Sequence, residues 1–330
     1  ITYGDWSSDV CSSDLIQPVL PSTLKAELRD YQVEGYVWLS RLAHLGIGAC
    51  LADDMGLGKT LQALSVILAR ATEGPTLVVA PTSVCMNWIT EARRFTPTLN
   101  PIVFGGSQRE VLVKSLAAHD VLVCSYGLLQ LETELLSSRT WRTIVLDEAQ
   151  AIKNIMTKRS QAAMSLNGEF KLITTGTPIE NHLSEFYTLF NFINPGLLGS
   201  LKRFNERFAI PIERYGNRES RKRLKKLVQP FILRRLKSQV LEELPPRTEV
   251  VLRVEMSPEE ASFYEALRQR ALETLEKDNS PVGQKHLKIL AEITRLRQAA
   301  CNPKLVFSDS PLASSKLQLF GEVVTELLES

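Results

Sequence analysis

Short apolar runs alternate with amphipathic segments through the first half of the chain. The apolar runs predict strands at residues 47–52, 76–80, 102–104, 121–124, 143–146 and 171–174. Apolar residues spaced by three or four positions predict helices at 24–45, 61–69, 84–95, 108–118, 128–136 and 156–166, and Gly46 is expected to end the first of them. This alternation predicts an α/β fold, a mostly parallel sheet with helices on both faces, in which ligands bind at the carboxyl ends of the strands.

The first predicted strand runs into a polar loop that contains two glycines. The loop reads Asp53-Asp54-Met55-Gly56-Leu57-Gly58-Lys59-Thr60 and leads directly into a helix. In this setting the backbone N–H groups would cradle phosphates, Lys59 would reach the terminal phosphates and the Thr60 hydroxyl would hold Mg²⁺. The strict pattern has glycine where this chain has Asp53, and a lysine at a helix N-terminus can simply be exposed. Both interpretations stay open for the loop alone.

A second polar segment follows the strand predicted at 143–146. Two adjacent carboxylates, Asp147 and Glu148, come directly after the apolar run. In a nucleotide hydrolase Asp147 would serve the Mg²⁺ shell, and Glu148 would polarise the water that attacks the γ-phosphate. Acidic residues also favour the first turn of a helix, because the helix dipole stabilises negative charge there. Combined with Lys59 and Thr60, the carboxylate pair favours a phosphate-loop nucleotide hydrolase.

Composition narrows the picture only slightly. A length of 330 residues predicts about two domains, and a net charge of +2 gives no global signal for a nucleic acid or a membrane. No apolar run approaches the roughly 20 residues that span a bilayer. The five cysteines and four histidines are scattered without C-x-x-C spacing, which fits a reducing cytosol and predicts no zinc site. Three of the cysteines lie in apolar, strand-like runs and are expected in the core.

The first fifteen residues differ from the rest. The stretch from Asp5 to Leu15 has neither the basic nor the apolar region of a signal peptide. It matches the translation, in one frame, of a common short-read sequencing adapter. We therefore expect the native protein to resume near Ile16, and recovery of these codons from the native upstream DNA would contradict that hypothesis.

Longer stretches resemble a known family. Asp147-Glu148-Ala149-Gln150 resembles the D-E-A-H/Q box of superfamily-two helicase-like ATPases, and residues 54–60 resemble the phosphate loop of the SWI/SNF-type DNA translocases. That branch commonly lacks the first glycine, so Asp53 fits it. Residues 172–181, 185–199, 230–237 and 244–247 resemble further hallmarks of the branch. The match runs from about residue 28 to about residue 306, and the glutamine in the box is more similar to bacterial members.

The resemblance implies roles for the matching residues. The nucleotide-binding set would be Gln32, Asp54, Met55, Gly56, Leu57, Gly58, Lys59 and Thr60, with Thr60 and Asp147 on Mg²⁺. The catalytic set would be Lys59, Asp147, Glu148 and Gln150. The DNA-contact and coupling set would be Pro81, Thr82, Ser83, Ser125, Tyr126, Thr175, Gly176 and Thr177. Read from the residues alone, Gln32 is favoured as a solvated polar residue of a helix, and helix capping is the ordinary role of the serine and threonine hydroxyls.

The resemblance also implies the cofactors and partners. ATP and Mg²⁺ would be the cofactors, and double-stranded DNA would be bound through backbone contacts that position it without reading its sequence. RNA polymerase or another DNA-bound protein would be moved along the duplex, in the cytoplasm at the bacterial nucleoid. No membrane partner and no zinc are implied.

The same resemblance divides the chain. Residues 16–240 would form a RecA-like ATPase lobe with a basic helical insertion at about 196–229, residues 241–312 a second helical protrusion and linker, and residues 313–330 the start of a second RecA-like lobe. Between 201 and 237, thirteen Lys or Arg face three Glu, a pattern typical of a solvated face or of an electrostatic track for a duplex. Leu224, Leu227 and Val228 predict an amphipathic helix there. Further helices are predicted at 261–276 and 286–300 and from 316 onward.

Two arginines close that basic stretch. Arg234 and Arg235 are expected to line the lobe, because the family's arginine fingers come from the second lobe. We therefore expect the intact protein to be an ATP-dependent double-stranded DNA translocase. This chain alone, without the second lobe, is expected to bind nucleotide weakly and to hydrolyse it poorly. A motor subunit of a restriction or repair system is an alternative of the same class. A non-catalytic DNA-binding module is an alternative of another class, against which intact Lys59, Asp147 and Glu148 argue.

Overall fold

A computed structural model describes residues 16–176, 182–240, 250–276 and 281–329. The chain forms two compact units that divide between Pro245 and Pro246. The adapter-like segment, the hallmark residues 177–181 and the stretch 244–247 lie outside the described residues. The predicted domain boundaries therefore stay predictions.

The first unit is built on a sheet whose strand pairs are all parallel. The strands are β1 (Ala49–Leu51), β2 (Thr76–Ala80), β3 (Asn100–Val103), β4 (Asp120–Ser125), β5 (Thr140–Leu146), β6 (Asn167–Thr174) and β7 (Ile232–Leu233). Their order across the sheet is β3-β4-β2-β5-β6-β1-β7. The α/β prediction and its six strands are confirmed. The two-residue β7 has no sequence signal of its own and exists by pairing with β1 at Cys50 and Leu51.

Helices connect these strands and cover the sheet. In the first unit they are α1 (Asp30–His44), α2 (Lys59–Arg70), α3 (Thr82–Phe95), α4 (Arg109–Ser115), α5 (Tyr126–Leu131), α6 (Thr133–Ser137), α7 (Lys158–Met164), α8 (Leu183–Ile193), α9 (Leu201–Phe204), α10 (Ile210–Tyr215), α11 (Arg218–Val228) and α12 (Lys237–Val240). Short 3₁₀ turns lie at Ala71–Glu73, Ala149–Ile152 and Gln229–Phe231, and a π-helical turn at Asn205–Ala209 joins α9 to α10.

Two helix predictions need correction. The helix predicted at 24–45 begins only at Asp30, where Arg29 N–H donates to the Gln32 side chain and so caps the first turn. Leu24 and Leu28 still pack against the core, but from an irregular segment that precedes the helix. The helix predicted at 128–136 is two helices, α5 and α6. The predicted end at Gly46 is confirmed by its left-handed φ of 66°.

Each face of the sheet carries its own apolar core. One core contains Trp141, Phe104 and the α8 aromatics, and the other contains Trp88, Tyr36 and the apolar face of α2. The prediction of buried cysteines is confirmed for Cys50, Cys85 and Cys124, although Cys85 lies on α3 and not in a strand. Both faces of the inner strands are thus removed from water, as is usual for a parallel sheet.

The basic stretch is helical, as predicted. In α11 the residues Leu224 and Val228 are buried, whereas the charged residues are exposed. Asn217 caps the helix by accepting the Ser220 N–H at 2.9 Å. The apolar stripe holds α11 on the first unit and leaves its cationic face open.

The regular elements in the described part of the second unit, residues 246–330, are all helical. These are α13 (Pro258–Glu276), α14 (Val282–Cys301), a 3₁₀ turn at Pro303–Leu305 and α15 (Ser315–Glu329). The Glu260 carboxylate accepts the backbone N–H groups of Ser257 and Ser315 at 3.1 and 3.0 Å and ties the starts of α13 and α15 together. Within the described residues, no helix of either unit is long and apolar enough to cross a membrane.

Candidate functional site

Candidate site residues of the first unit follow neighbouring strands, at the edge of the sheet that the carboxyl ends of the strands form. Because the strands are parallel, their carboxyl ends point the same way. Across the sheet, β4 ends at Ser125, β2 leads to Pro81, β5 to Asp147, β6 to Thr175, and β1 to Asp53. The structure thus brings the candidate DNA-contact, metal and nucleotide residues to one edge, in that order.

The loop after β1 has the backbone of a phosphate cradle. Gly56 and Gly58 have φ values of 83° and 72°, a left-handed conformation that strains other residues. A Cβ at position 58 would also lie 2.4 Å from the Gln32 side-chain nitrogen. The carbonyl of Leu57, which is buried, accepts hydrogen bonds from Tyr31, Gln32 and Gln62 at 3.3 Å each. Helices α1 and α2 therefore hold the loop from both sides.

Lys59 is the first residue of α2 and folds back onto this loop. Its Nζ donates to the carbonyls of Asp53 and Asp54 at 2.7 and 3.2 Å. Burial lowers the pKa of the ammonium below its ordinary value of 10.5, and the carboxylates of Glu148 and Asp53 oppose this shift. The half-buried Thr60 follows it on the helix. Among the described residues the hydrogen-bond acceptors of Lys59 are neutral carbonyls, so the cation is available to an anion placed over the loop.

Gln32 has a different setting from the one its proposed role requires. The side chain is buried, its oxygen accepts the Arg29 N–H at 3.0 Å and its nitrogen donates to the Leu57 carbonyl at 3.3 Å. Both polar atoms thus hold the start of α1 and the phosphate loop. An adenine can be read by this amide only if it exchanges those partners.

Three hydrogen-bond donors fix the Asp147 carboxylate. One carboxylate oxygen accepts the Trp88 indole N–H at 2.8 Å, and the other accepts the Thr174 hydroxyl at 2.5 Å and the Glu148 N–H at 3.0 Å. Trp88 lies on α3 and Thr174 ends β6, so the carboxylate bridges a helix and a neighbouring strand. Its position is therefore determined before any ligand binds.

Glu148 and Gln150 form the next layer along the edge. Glu148 has φ 48° and ψ 55°, a left-handed conformation that is uncommon for a residue with a Cβ and that recurs at functional sites. Its carboxylate accepts from the Gln150 amide at 2.7 Å, and the Gln150 oxygen accepts the Thr175 hydroxyl at 3.1 Å. A hydrogen-bonded chain thus runs from Glu148 to the segment that follows β6.

One of the DNA-contact candidates, Tyr126, has a buried side chain. Tyr126 is 4% exposed, and its hydroxyl donates to the Asp147 carbonyl at 2.8 Å beneath the site. Burial raises the pKa of this phenol well above its ordinary value, which keeps it a donor. The side chain thus supports the carboxylate segment from inside, and the DNA-contact role of this residue stays a prediction.

The other DNA-contact candidates divide into two groups. Thr82 and Ser83 are exposed in the first turn of α3, with Pro81 just before it. Ser125 accepts the Leu128 N–H at 3.2 Å and caps α5, so for this hydroxyl helix capping is observed. Thr175 is buried, Gly176 is half-buried, and Thr177 lies outside the described residues.

Sequence reasoning missed the buried partner of Asp53. The Asp53 and Arg235 side chains are 0% and 3% exposed and form an ion pair at 2.5 Å. Arg235 thus lines the lobe, as predicted, while Arg234 beside it is exposed. The available signal was the aspartate at the position of the strict pattern's glycine, since a buried carboxylate needs a partner.

No preassembled metal cluster is found among the described residues, in which no group of three or more His, Cys, Asp or Glu could hold an ion. Mg²⁺ in phosphoryl-transfer sites commonly takes one or two carboxylates and completes its shell with phosphate and water oxygens. A single carboxylate such as Asp147 beside a phosphate cradle is compatible with that chemistry.

Comparison with known proteins decides the family. The model of the SNF2-related domain matches residues 31–305. The chain belongs to the SNF2-related family. A putative ATP-dependent helicase/translocase, YwqA of Bacillus subtilis, is 40% identical to this SNF2-related chain over 325 residues, covering 94% of it and 35% of the relative. The ISWI chromatin-remodeling complex ATPase CHR11 of Arabidopsis thaliana is 37% identical over 300 residues, covering 88% of the chain and 28% of the relative.

A solved structure gives the same family at the level of the fold. The SWI2/SNF2 ATPase core of Sulfolobus solfataricus in complex with double-stranded DNA superposes with a TM-score of 0.65 at 35% identity, covering 95% of this SNF2-related chain and 67% of the other. The chain thus spans about a third of the length of the curated relatives YwqA and CHR11.

Proposed function

We propose that this chain is the first ATPase lobe of an ATP-dependent translocase that acts on double-stranded DNA. The observation that carries the proposal is the shared sheet edge. It places the Lys59 loop, the Asp147 and Glu148 carboxylates and the Gln150 to Thr175 chain after the neighbouring strands β1, β5 and β6. Membership of the SNF2-related family supports the same assignment.

The residues present fit a nucleotide with Mg²⁺. The glycine cradle offers backbone N–H groups, and Lys59 supplies a cation that is hydrogen-bonded to the Asp53 and Asp54 carbonyls. Thr60 and Asp147 supply the hydroxyl and the carboxylate that would hold the ion. When bound, Mg²⁺ neutralises charge on the phosphates. Gln32 would meet the adenine only after its amide leaves the Leu57 carbonyl.

Glu148 is the residue that would orient and polarise the attacking water. Its carboxylate is half-buried and is held by the Gln150 amide at 2.7 Å, so its direction is set by a neighbour that does not titrate. Because Gln150 also accepts from Thr175, a shift of the segment after β6 would move this carboxylate. This connection is our basis for proposing that hydrolysis responds to a bound partner.

The basic face of α11 and the exposed start of α3 are the surfaces we assign to the duplex. The exposed cations of α11 are Arg218, Arg221, Lys222, Arg223, Lys225 and Lys226. Such a face attracts phosphates regardless of base sequence, whereas Thr82 and Ser83 can donate to single phosphates. The protein moved along the DNA, whether RNA polymerase or another, and a location at the bacterial nucleoid are parts of this proposal that rest on family resemblance.

Nucleotide binding to the chain itself tests the first step. Titration calorimetry with Mg·ATP should show binding that Lys59→Ala weakens by about 100-fold, since the variant loses the cation over the cradle. Glu148→Gln should bind as well as the wild type, because this residue is assigned to water and not to phosphate. Equal binding by wild type and Lys59→Ala would contradict the proposed nucleotide site.

A further inference from the structure

The Arg235 guanidinium is the most heavily bonded cation in the described part of the first unit. Its Nε donates to one Asp53 oxygen at 3.1 Å and a terminal nitrogen donates to the other at 2.5 Å, a forked arrangement on one carboxylate. The same terminal nitrogen donates to the Gln62 side chain at 2.8 Å, and the other terminal nitrogen donates to the Tyr31 carbonyl. The guanidinium also lies over the Tyr31 ring, 5.1 Å from its centre.

These contacts join four pieces of the site. Asp53 begins the phosphate loop, Gln62 lies on α2, Tyr31 lies on α1, and Arg235 follows β7. Gly35 on α1 is required by this arrangement, because a Cβ there would lie 2.0 Å from the Gln62 oxygen and 2.9 Å from an Arg235 nitrogen. Without a side chain at Gly35, α1 and α2 lie close enough for one guanidinium to contact both helices and the phosphate loop.

The Asp53–Arg235 ion pair lies next to Lys59, the residue that would meet the phosphates. The carbonyl of Asp53 accepts Lys59 Nζ at 2.7 Å, while the Asp53 carboxylate is held by Arg235. Asp53 also receives the Arg235 backbone N–H at 3.0 Å. Arg235 therefore fixes, through one residue, the oxygen on which Lys59 rests.

The segment around Arg235 follows the loop over its whole first half. The Ala52 and Asp54 N–H groups donate to the carbonyls of Leu233 and Arg235 at 2.7 and 3.0 Å. The Lys237 N–H donates to the Asp54 carboxylate at 3.1 Å, and Lys237 Nζ lies 3.1 Å from where a Cβ on Gly56 would be. Residues 233–237 thus act as a strap along the phosphate loop.

We propose that Arg235 is a positioning residue of the nucleotide site, which sets the phosphate loop and Lys59 through its buried pair with Asp53. This assignment rests on the proposed nucleotide-binding function. It gives Asp53 a purpose at a position where strict phosphate loops carry glycine: its carboxylate is the anchor for a strap supplied from 182 residues further along the chain. The start of the phosphate loop is thus held by an ion pair at the position where strict phosphate loops have a glycine.

The variants must separate positioning from general folding. Removing one partner leaves a buried charge uncompensated, so the main variant removes both, Asp53→Asn with Arg235→Gln. Arg235→Lys is the second variant; it keeps the positive charge and loses the fork. Arg234→Gln is the matched control, because it makes the same change at the exposed neighbour. Circular dichroism and thermal melts report which variants fold.

The readout is the dependence of binding on phosphates. Calorimetry gives the affinity for Mg·ATP, and ligand-observed NMR gives the affinity for adenosine, which has no phosphate to place. We expect the double variant to lose about tenfold or more in ATP affinity while adenosine changes by less than about twofold. Arg235→Lys should show a smaller loss of the same kind, and Arg234→Gln should match the wild type.

Three results would overturn the assignment. One is ATP binding within about twofold of wild type in both the double variant and Arg235→Lys. Another is an equal loss for ATP and adenosine, which would mean general damage. If the double variant does not fold, Arg235→Lys decides alone by the same two criteria. Failure of the proposed nucleotide site itself is seen separately, as equal ATP affinity of the wild type and of Lys59→Ala.

Discussion

Trp88 donates its indole N–H to a carboxylate oxygen of Asp147 at 2.8 Å, across 59 residues of sequence. The indole is 1% exposed and lies on α3, the helix whose first turn carries the exposed Thr82 and Ser83. The helix that we assign to DNA contact therefore holds the carboxylate that we assign to Mg²⁺.

Replacing Trp88 with phenylalanine tests that relationship. Trp88→Phe leaves an Asp147 oxygen without its donor, a loss of about 1.5–3 kcal/mol for a hydrogen bond to a charged group. We expect the Mg²⁺ concentration needed for half-maximal nucleotide binding to rise about tenfold. A magnesium titration of nucleotide binding measures it.

Trp141→Phe is the matched control. Trp141 is equally buried and its indole donates to the Leu136 carbonyl at 2.9 Å, away from the carboxylate. Both variants should melt at lower temperature, but only Trp88→Phe should change the magnesium dependence. Identical magnesium dependence in the two variants would contradict the role given to Trp88.

The hydrogen bond between Thr175 and Gln150 should couple duplex binding to the position of Glu148. Thr175→Val removes the hydroxyl that donates to the Gln150 oxygen at 3.1 Å and keeps the shape of the side chain. In a protein that joins this chain to a second RecA-like lobe, we expect nucleotide affinity to stay and the stimulation of hydrolysis by DNA to fall about tenfold. A coupled ATPase assay with and without duplex measures this ratio.

Thr188→Val serves as the comparison for that variant. Thr188 is also buried, and its hydroxyl donates within α8 to the Ser184 carbonyl at 3.1 Å. It should keep the wild-type stimulation ratio. Unchanged stimulation in Thr175→Val would remove the contact from the coupling scheme.

Duplex binding should depend on the cationic face of α11. Changing Arg221, Lys222 and Lys225 to glutamine removes three exposed charges without touching the buried Leu224 and Val228. The slope of log affinity against log salt should fall by about 0.9 for each phosphate that the helix no longer neutralises. Fluorescence anisotropy with a labelled duplex at several salt concentrations gives the slope.

Three exposed lysines elsewhere form the control for α11. Lys25, Lys114 and Lys304 carry the same charge, are exposed and are not part of α11. Their change to glutamine should leave the slope close to the wild-type value. A slope that falls equally in both triple variants would mean that only net charge matters.

Two buried thiols predict how stability changes in alkali. Burial raises the pKa of Cys50 and of Cys124 from 9.0 to about 12. Between these pH values the folded thiols keep their protons while the unfolded thiols ionise. The contribution of the two thiols to the free energy of unfolding is therefore complete below pH 9 and is lost as the pH rises from 9 towards 12. The slope is at most about 1.4 kcal/mol per pH unit for each thiol.

Urea unfolding between these pH values measures the effect. The double variant Cys50→Ala with Cys124→Ala should lose stability less steeply than the wild type. Cys301→Ala, at an exposed cysteine, should keep the wild-type slope. Equal slopes in all three proteins would show that the buried thiols ionise without unfolding.

The inner strands of the sheet could be predicted because they are continuous apolar runs with both faces buried, as in β1, β2 and β4. The start of α1 could not, since Leu24 and Leu28 reach the core without being helical and the capping contact at Arg29 decides the boundary. Strand β7 was missed because two residues form no pattern.

The candidate site divides in the same way. Lys59, Thr60, Asp147 and Glu148 stand in local strand-loop patterns, so the sequence shows them. The groups that hold them come from far away: Trp88 lies 59 residues from Asp147, and Arg235 lies 182 residues from Asp53. A contact that forms only on folding leaves no spacing pattern in the sequence, and the hydrogen bond from the buried Tyr126 to the Asp147 carbonyl is another such contact.

The central claim is that Lys59 and Glu148 serve one ATP hydrolysis reaction that duplex DNA stimulates. The direct measurement is steady-state ATP hydrolysis, with and without linear double-stranded DNA, by a protein that contains this chain and a second RecA-like lobe. We expect turnover that duplex raises by about tenfold or more, and that falls by about 1000-fold in both Lys59→Ala and Glu148→Gln. Glu148→Gln should still bind Mg·ATP. Turnover that ignores duplex, or that survives both substitutions, would contradict the account.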